Sequence, residues 1–418
     1  MKKNLLLFGG LYISVFGFSQ TLLYNDNQTL FINDQAVMIV KNGDVDNNTG
    51  TIENKGNLIV EGSYKNQDQT IGGGLNSKFQ IEKNWVNDAN FTANQSSVIL
   101  NGNLQLITGT QVSEFYNLYL ENIGVKTQTI DASVSNVLKL NSVQLATGFN
   151  KMKVLNTDPN AIEFVPFAGF VSSQGDGRLV RNTNQNAAYL FPVGEINSGL
   201  KFRPITIEPK STNANQFEVR MVYADAGTEG FPLSNQNGSL ANMNQNFFHF
   251  VNQSESTEVA DLSIAYLPAD DGNWNTIGNW KENEWTNIGT VATASNSNFS
   301  ILKKENWAFA NDEPHILANA KEGPLYAIPN AFAPNGAQDI NKEFGVLNQN
   351  GMVSLEQMQI YNRWGTKVFD SNEAQKETWN GMYDNVLQPT GAYTYLINLK
   401  DQNDEAIAPI SGNVLLIW

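Results

Sequence analysis

The fold of the C-terminal end of the chain is decided by a stretch that opens with Ile328-Pro329-Asn330-Ala331-Phe332-Ala333-Pro334-Asn335-Gly336. Further along, residues 358–361 predict a strand that ends at a turn containing Gly365, where glycine supplies conformational freedom. Residues 393–398 alternate apolar and polar side chains with a period of two, which is typical of a strand. Together these patterns predict a small β-sandwich over residues 328–418.

Four short sequence blocks follow one another inside this region. They are Pro329-Asn330-Ala331-Phe332-x-Pro334-Asn335-Gly336, Asn362-Arg363-Trp364-Gly365, Trp379-x-Gly381 and Pro389-x-Gly391-x-Tyr393-x-Tyr395. Any one block is a weak signal, whereas four in one order at compatible spacing are specific. In this order they resemble the gliding-motility-associated C-terminal domain, which is the type B sorting domain of the type IX secretion system.

The resemblance implies export across the outer membrane and display on the cell surface, with residues 328–418 as the sorting signal. It implies two partners, the type IX translocon and an outer-membrane β-barrel of the type that accompanies gliding adhesins. The residues that would carry sorting or partner binding belong to the four blocks: Asn335, Gly336, Arg363, Trp364, Gly365, Trp379, Gly381, Gly391, Tyr393 and Tyr395. For Trp364 two interpretations stay open, burial in the sandwich core and docking on a partner.

One loop departs from the family pattern. Where the family carries an acidic Asp-Gly-x-Asn-Asp loop, residues 337–342 read Ala-Gln-Asp-Ile-Asn-Lys. This change weakens any expectation of ion binding at that loop. The resemblance also names no activity for the part of the chain that precedes residue 328.

Residues 1–19 predict a signal peptide. Lys2 and Lys3 supply the positive start, residues 5–18 are mostly apolar, and Gly17 and Ser19 place small residues before Gln20. No later stretch has eighteen apolar residues in a row, so a transmembrane helix is not expected. The predicted location is extracellular, at the cell surface and associated with the outer membrane.

The composition of the 418 residues restricts the chemistry. The chain has no cysteine, which removes disulfides, thiol nucleophiles and thiolate metal sites. It has two histidines and a formal net charge of −15, which argues against nucleic-acid binding. We therefore expect no cofactor, no metal site and no nucleic-acid partner.

Residues 20–166 predict a coil of short strands. Glycines recur there every six or seven residues, at Gly43, Gly50, Gly56 and Gly62, and a bulky residue follows two positions after each one: Val45, Ile52, Leu58 and Tyr64. Short strands at near-constant spacing favour a parallel β-solenoid, in which each rung buries its apolar residue on the rung before it. An antiparallel sandwich with many hairpins is the alternative.

Residues 167–320 predict a β-sandwich, with alternating strands such as Phe217–Tyr223. The segments Phe191-Pro192-Val193-Gly194 and Arg203-Pro204 resemble a β-sandwich module of exported proteins that carry this same tail. Residues 321–327 predict a linker to the sorting domain. Helical periodicity is absent after residue 20, so the predicted class is all-β: an N-terminal parallel β-solenoid, a central β-sandwich and a C-terminal Ig-like β-sandwich sorting domain.

Four tryptophans lie within 34 residues of the central region: Trp274, Trp280, Trp285 and Trp307. Their rings could form a ligand platform, because aromatic faces match the C–H-rich surfaces of sugars. They could equally fill the sandwich core. A polysaccharide is therefore a candidate partner of this region.

The remaining candidates for chemistry are sparse. His249 lies in the aromatic segment Phe247–Phe250 and is expected to be packed in a strand, whereas His315 follows Glu313-Pro314 and is expected in an exposed loop. The pair Asp270-Asp271 before Gly272 predicts a turn, with a calcium or carbohydrate contact as the alternative.

These observations favour a non-enzymatic surface protein, a gliding-motility or adhesion component. The first alternative is an adhesin that binds carbohydrate through the tryptophan cluster. The second is a polysaccharide-degrading enzyme, because parallel β-helices often host such activities. The predicted solenoid shows no basic cluster, which disfavours the enzyme. A groove that gathers three or more ionisable groups would favour it.

Overall fold

The computed structural model describes residues 21–196, 199–296, 299–309, 312–321, 326–336, 341–348, 353–401 and 406–418. The chain divides into two compact units, residues 1–321 and 322–418. Nearly all regular structure is strand, so the predicted all-β class is confirmed. In the described ranges no helix combines the length and apolarity that a membrane crossing needs. The predicted signal peptide and residues 322–325 of the predicted linker lie outside the described residues.

The first unit opens with the predicted β-solenoid, which has about 7 coils. Its strands pair in parallel with those of the coils before and after. They are β1 (Thr21–Ile32), β2 (Val37–Val40), β3 (Gly43–Asn54), β4 (Asn57–Val60), β5 (Tyr64–Asn66), β6 (Gln69–Gly72), β7 (Lys78–Ile81), β8 (Trp85–Asn87), β9 (Asn90–Thr92), β10 (Ser97–Leu100), β11 (Leu104–Gly109), β12 (Ser113–Leu120), β13 (Val125–Gln128), β14 (Ala132–Asn141), β15 (Gln144–Ala146), β16 (Lys151–Val154), β17 (Ile162–Phe164) and β18 (Phe170–Ser172).

The regular spacing of the glycines predicts one rung of the solenoid after each glycine. In the structure the glycines mark places where two coils come close together. The four bulky residues that follow the glycines are fully buried, as predicted. A Cβ on Gly56 would lie 2.2 Å from the carbonyl oxygen of Ala36, and one on Gly62 would lie 2.2 Å from that of Gly43. These glycines are needed because the preceding coil passes too close for a side chain.

The first coils have three sides. Strand β1 pairs with β3 in two segments of five residues, Thr21–Asn25 with Gly43–Asn47 and Gln28–Ile32 with Gly50–Asn54, with a register shift between them. Strands β5 and β8 continue the first segment, and β6 and β9 continue the second. The third side is the row β2, β4, β7 and β10. A corner therefore lies at the middle of β1.

A ladder of buried asparagine side chains fills this corner. Nδ2 of Asn25 donates to Oδ1 of Asn47 at 2.7 Å, Asn47 donates likewise to Asn66 at 3.2 Å, and Asn66 donates to Asn87 at 2.9 Å. Their side chains also donate to backbone carbonyls on the far side of the corner, as Asn66 does to Asn90 at 3.0 Å. The ladder satisfies polar groups that the tight corner removes from solvent.

The solenoid sheet that begins with β2, β4, β7 and β10 and runs on through β12, β14 and β16 continues without a break into the central module. The elements there are β19 (Arg178–Thr183), β20 (Tyr189–Phe191), β21 (Gly194–Glu195), β22 (Lys201–Phe202), β23 (Ile205–Pro209), β24 (Asn215–Val222), the 3₁₀ helix η1 (Ala226–Glu229), β25 (Leu240–Met243), β26 (Phe248–Gln253), β27 (Ala260–Tyr266), the one-turn helix α1 (Pro268–Asp271), β28 (Thr276–Lys281), β29 (Glu284–Asn287), β30 (Val291–Asn296), β31 (Phe299–Trp307) and β32 (Glu313–Ala320). Strand β19 pairs in parallel with β16 and antiparallel with β24. The boundary predicted between residues 166 and 167 falls between two strands of the solenoid sheets.

The central module is a β-sandwich, as predicted. One layer is the antiparallel continuation β19-β24-β26-β32-β28-β29, and the other is the sheet β20-β23-β27-β31-β30. Apolar side chains from both layers belong to a single buried core, including Phe217 and Val219 from the first layer and Ile207 and Leu262 from the second. The segments 191–194 and 203–204, which resemble a module of exported proteins, are in contact. The backbone N–H of Arg203 donates to the carbonyl of Val193 at 3.1 Å.

The second unit is the C-terminal sandwich. Its elements are β33 (Tyr326–Ala327), β34 (Ala331–Phe332), β35 (Leu347–Asn348), β36 (Val353–Tyr361), β37 (Lys367–Asp370), the one-turn helix α2 (Ser371–Ala374), β38 (Met382–Tyr383), β39 (Val386–Leu387), β40 (Gly391–Asp401) and β41 (Ile410–Leu416). Five of these strands form one sheet in the order β34-β41-β40-β36-β37, and the pairs β33-β35 and β38-β39 form small separate sheets. Its core is a separate buried cluster.

Candidate functional site

The aromatic residues of the sorting blocks divide into core and surface. Trp379 is 1% exposed, and its ring centroid lies 5.3 Å from that of Phe332 and 5.0 Å from that of Tyr393. Its Nε1 donates to the carbonyl of Met382 at 2.8 Å, which satisfies the indole when it is buried. Trp379 therefore holds the unit together and is not available to a partner.

Two further block residues support this core. Tyr395 is half-buried, and its ring centroid lies 5.3 Å from that of Phe344. Gly381 has a φ of +80°, and a Cβ there would lie 3.0 Å from the side chain of Leu416. Both positions are explained by packing and backbone conformation.

Trp364 lies at the opposite extreme, with 83% of its surface exposed. It sits in the turn between β36 and β37. There Oδ1 of Asn362 accepts from the backbone N–H groups of Trp364 and Thr366, both at 3.0 Å. Gly365 completes the turn with a φ of +77°. The indole is therefore presented on a braced turn, and the core interpretation of Trp364 does not hold.

Arg363 in the same turn reaches the start of β40. A Cβ built on Gly391 would lie 3.9 Å from Nη2 of Arg363. Close by, the hydroxyl of Tyr393 donates to the carbonyl of Pro389 at 2.8 Å. Burial raises the pKa of the Tyr393 phenol, and the charge of Arg363 opposes this shift. The second and the fourth of the four blocks therefore meet at one end of the sheet.

An exposed apolar hairpin lies at the same end of the unit, and the sequence analysis did not identify it. Strands β38 and β39 are joined by Asp384 and Asn385, which both have positive φ, as a tight hairpin turn requires. Its four strand residues are exposed by 39–62%: Met382, Tyr383, Val386 and Leu387. The signal was available, since an Asp-Asn pair between two apolar pairs predicts a hairpin.

The first block forms a turn of its own. The backbone N–H of Gly336 donates to the carbonyl of Ala333 at 2.8 Å, and Asn335 is exposed. Residues 337–340 of the loop that departs from the family pattern lie outside the described residues.

The four tryptophans of the central module do not share a face. Trp285 is fully buried, and its Nε1 lies 3.3 Å from the carbonyl of Phe231. Trp280 packs against Trp285 and Phe231, whereas Trp274 and Trp307 are half-buried against the main sandwich core. A flat platform made of all four rings is therefore absent.

The two histidines are neighbours inside the sandwich. His249 in β26 is opposite His315 in β32, and both are fully buried. The prediction for His249 is confirmed. The prediction of an exposed loop at His315 is wrong, because Pro314 stands near the start of β32, where a strand tolerates proline. Burial lowers the pKa of His249 to about 4 and that of His315 to about 3.

The acidic pair Asp270-Asp271 ends the single turn of α1 and binds cationic side chains. Asp271 is buried and accepts from Arg203, and Asp270 lies 3.5 Å from Nζ of Lys201. The two carboxylates are thus paired with cationic side chains of the chain itself, in the turn that the sequence predicts. Within the described ranges no three histidine or acidic side chains are grouped as metal ligands.

Ionisable side chains gather in a cleft on the first unit. The cleft measures about 550 Å³ and is lined by Lys151, Asp176, Arg178, Glu218, Asn252, Ser254 and Asp312. Arg178 pairs with Asp312 at 2.9 Å, and Lys151 pairs with Glu218 at 2.7 Å. The cleft meets the criterion of three ionisable groups, although each cation is paired with an acid. The sequence did not reveal it, because its residues come from strands far apart in the chain.

Comparison with known proteins identifies one part of the chain. Residues 326–414 match the model of the CHU_C Type IX secretion signal domain. No curated protein matches the chain, and no solved structure does. A type IX secretion signal implies interaction with the secretion machinery and export to the cell surface. The braced Trp364 turn and the sandwich around Trp379 therefore belong to a type IX sorting domain, which the chain carries at its C-terminal end.

Proposed function

We propose that the protein is a gliding-motility or adhesion component, held at the outer membrane by its C-terminal unit after export. The first unit, with its solenoid and sandwich, is the exposed cargo. The partner of the C-terminal unit is an outer-membrane β-barrel of the type that accompanies gliding adhesins. The role is structural or adhesive, without catalysis.

The observation that carries this proposal is the end of the C-terminal unit formed by Trp364, Arg363 and the β38–β39 hairpin. Trp364 is 83% exposed, and the β38–β39 hairpin adds four exposed apolar residues to the same end of the unit; exposed apolar surface that extends over several residues marks interaction sites. Tryptophan and arginine are the residues that most often dominate protein interfaces. The turn is pre-organised by Asn362, so little conformational entropy is lost when a partner binds.

The experiment compares the full chain with a chain that lacks residues 326–418 in a host with a type IX system. The full chain is expected at the surface, where external protease removes it, and in complex with an outer-membrane barrel after crosslinking. The truncated chain is expected in the periplasm. Surface display of the truncated chain would contradict the role of this unit. A full chain that reaches the surface without any barrel partner would contradict the proposed attachment alone.

For the adhesion role, the charged cleft favours polysaccharide binding as a second candidate. Beside the ion pairs it offers the amide of Asn252 and the hydroxyl of Ser254, which suit sugar hydroxyls. The guanidinium carbons of Arg178 and Arg220 lie 5.1 and 4.3 Å from the ring centre of Phe250, which fixes both cations in place. Because Arg178 and Lys151 are paired with acids, binding fits this cleft better than catalysis.

Glycan-array screening of the full chain tests this second candidate. Asp312→Asn should weaken any polysaccharide binding at least about tenfold, since the change removes a carboxylate from the cleft wall. Glu163→Gln is the matched control, because Glu163 forms an exposed pair with Lys139 outside the cleft. Equal binding by both variants, or no bound glycan at all, would exclude the cleft.

A further inference from the structure

Among the described residues, no strand pairs with the outer edge of the first solenoid coil. Within the described part of the chain, β1 pairs only with β3, and β2 pairs only with β4. Proteins usually protect such edges with lysine, proline or bulges that turn the edge away. Here Asp26 is the single charged residue of both strands, and neither contains proline. The one irregularity of β1 is the register shift at Asp26, which forms the corner between its two segments. In the ranges that the structure describes, the outer edge of each five-residue segment therefore presents backbone donors and acceptors that no neighbouring strand pairs.

The interior is also incomplete at this edge. Leu23, Leu30 and Met38 face the core of the solenoid but are only partly buried. The asparagine ladder stops at Asn25, whose Nδ2 is used toward Asn47. The other end of the solenoid differs, because there β19 and β24 continue the sheet into the central module. As far as the structure describes the chain, further strands thus cover one end of the solenoid, whereas the core side chains of the first coil are covered on one side only.

We propose that two copies of this chain join through the first coil, edge to edge. A two-fold axis perpendicular to the solenoid axis, and normal to the side formed by β2, brings β2 antiparallel to the partner's β2. The same rotation places each segment of β1 over the other segment of the partner's β1. The corner in the middle of β1 then lies over the same corner of the partner. The segment Thr21–Asn25 then runs antiparallel to the partner's segment Gln28–Ile32. All three sides of the coil gain a ladder of hydrogen bonds at once.

The sequence of β1 suits pairing with itself. The corner divides β1 into two segments of five residues, so the segments match in length when one copy is turned onto the other. In this register Leu23 is opposite the partner's Leu30, so apolar side chains that face the core meet each other. Asn25 is opposite the partner's Gln28, which extends the amide ladder across the interface. A foreign single strand would satisfy only one of the three sides.

Sedimentation of the purified exported chain tests the proposal, and a mass of two chains is expected. Leu30→Lys should weaken the dimer at least about tenfold, because it places an ammonium group in the new core. Leu104→Lys, at a residue 76% exposed and away from the edge, should leave it unchanged. A monomer at every concentration, or equal dimerisation of both variants, would overturn the proposal.

Cysteine pairing gives a readout that does not depend on Leu30. Because the chain has no cysteine, Tyr24→Cys and Thr29→Cys can be introduced in separate preparations. In the proposed register residue 24 is opposite the partner's residue 29, and both side chains point outward. Mixing the two preparations should give a disulfide-linked dimer, whereas Tyr24→Cys mixed with Leu104→Cys should not. The absence of the linked dimer in the first mixture would contradict the proposed register.

Discussion

Arg203 and Asp271 form an ion pair from which water is almost wholly excluded. Nε of Arg203 lies 2.5 Å from Oδ2 of Asp271, and Nη2 lies 2.8 Å from Oδ1. Asp271 also accepts from the backbone N–H of Leu267, and Arg203 donates to the carbonyl of Phe202. The pair thus ties the turn of α1 to the end of β22 in the central sandwich.

Removing the acid from this pair should destabilise the first unit strongly. Asp271→Ala leaves a buried guanidinium without its counter-charge, which costs about 3–5 kcal/mol. Asp270→Ala is the matched control, because the Asp270 side chain is 46% exposed and its loss should cost about 1 kcal/mol or less. Urea unfolding measures both effects. Equal shifts in the two variants would show that Asp271 is not critical.

The asparagine ladder should behave as a chain of dependent hydrogen bonds. Asn66→Ala removes one link: Oδ1 of Asn87 loses its donor in the ladder, and Nδ2 of Asn47 keeps only backbone acceptors such as the carbonyl of Gln69. We expect a loss of about 3 kcal/mol, because buried polar groups lose their partners. Asn213→Ala is the control, since the amide of Asn213 is exposed and donates to Oε1 of Glu258 at 2.7 Å. Urea unfolding should show a small change for the control. A similarly small change for Asn66→Ala would contradict a structural role of the ladder.

Substitutions of Trp364 and Trp379 in the sorting unit should have different effects: one on attachment at the cell surface, the other on stability. Trp364→Ala should change the free energy of unfolding by about 0.5 kcal/mol or less, as is usual for surface positions, while attachment at the cell surface falls. Trp379→Ala should cost about 3–5 kcal/mol because it leaves a cavity in the core. Calorimetry and surface proteolysis measure the two properties. Unchanged attachment in Trp364→Ala would rule out the turn as the docking element.

The paired histidines should make the first unit sensitive to mild acid. Burial keeps the pKa of His249 at about 4 and that of His315 at about 3, below the value near 6.5 of an unfolded chain. The unfolded state therefore binds more protons as the pH falls below about 6.5. Stability should drop by about 1.4 kcal/mol per pH unit for each histidine between about pH 6 and 4.

Urea unfolding of the full chain at pH 7, 6 and 5 measures this loss. His315→Gln removes one of the two titrating groups, so the pH dependence between pH 6 and 5 should fall to about half. Carboxylates contribute little in this interval, because their ordinary pKa values lie near 4. The same pH dependence in the variant and the parent chain would contradict the assignment.

The sequence predicts repetition and alternation better than contacts between distant strands. Val45 and Tyr64 were recognised as core because regular glycine spacing reports the passage of one coil over the next. The sorting unit was recognised because its turn residues have fixed local roles. In contrast, nothing local separates Trp364 from Trp379, since each lies within two residues of a glycine and beside polar residues. Their opposite burial is decided by how β36 and β40 pair.

The asparagine ladder shows a different limit. An apolar residue, any residue and then asparagine recur at Leu23–Asn25, Val45–Asn47, Tyr64–Asn66 and Trp85–Asn87. The spacing varies between 19 and 22 residues, and asparagine is common elsewhere, so the repeat does not stand out. The buried pair of Arg203 with Asp271 was also missed, because its members are 68 positions apart.

The varying spacing of the ladder has an evolutionary consequence. Within the ladder each amide bonds to the amides directly above and below it, and its other bonds stay at the same corner, so the corner tolerates loops of unequal size on the other sides. Duplication or loss of one complete coil would restore the same neighbours on both sides of the junction. The solenoid can therefore become longer or shorter by one coil at a time. Gene duplication would in this way change the distance between the first coil and the central module.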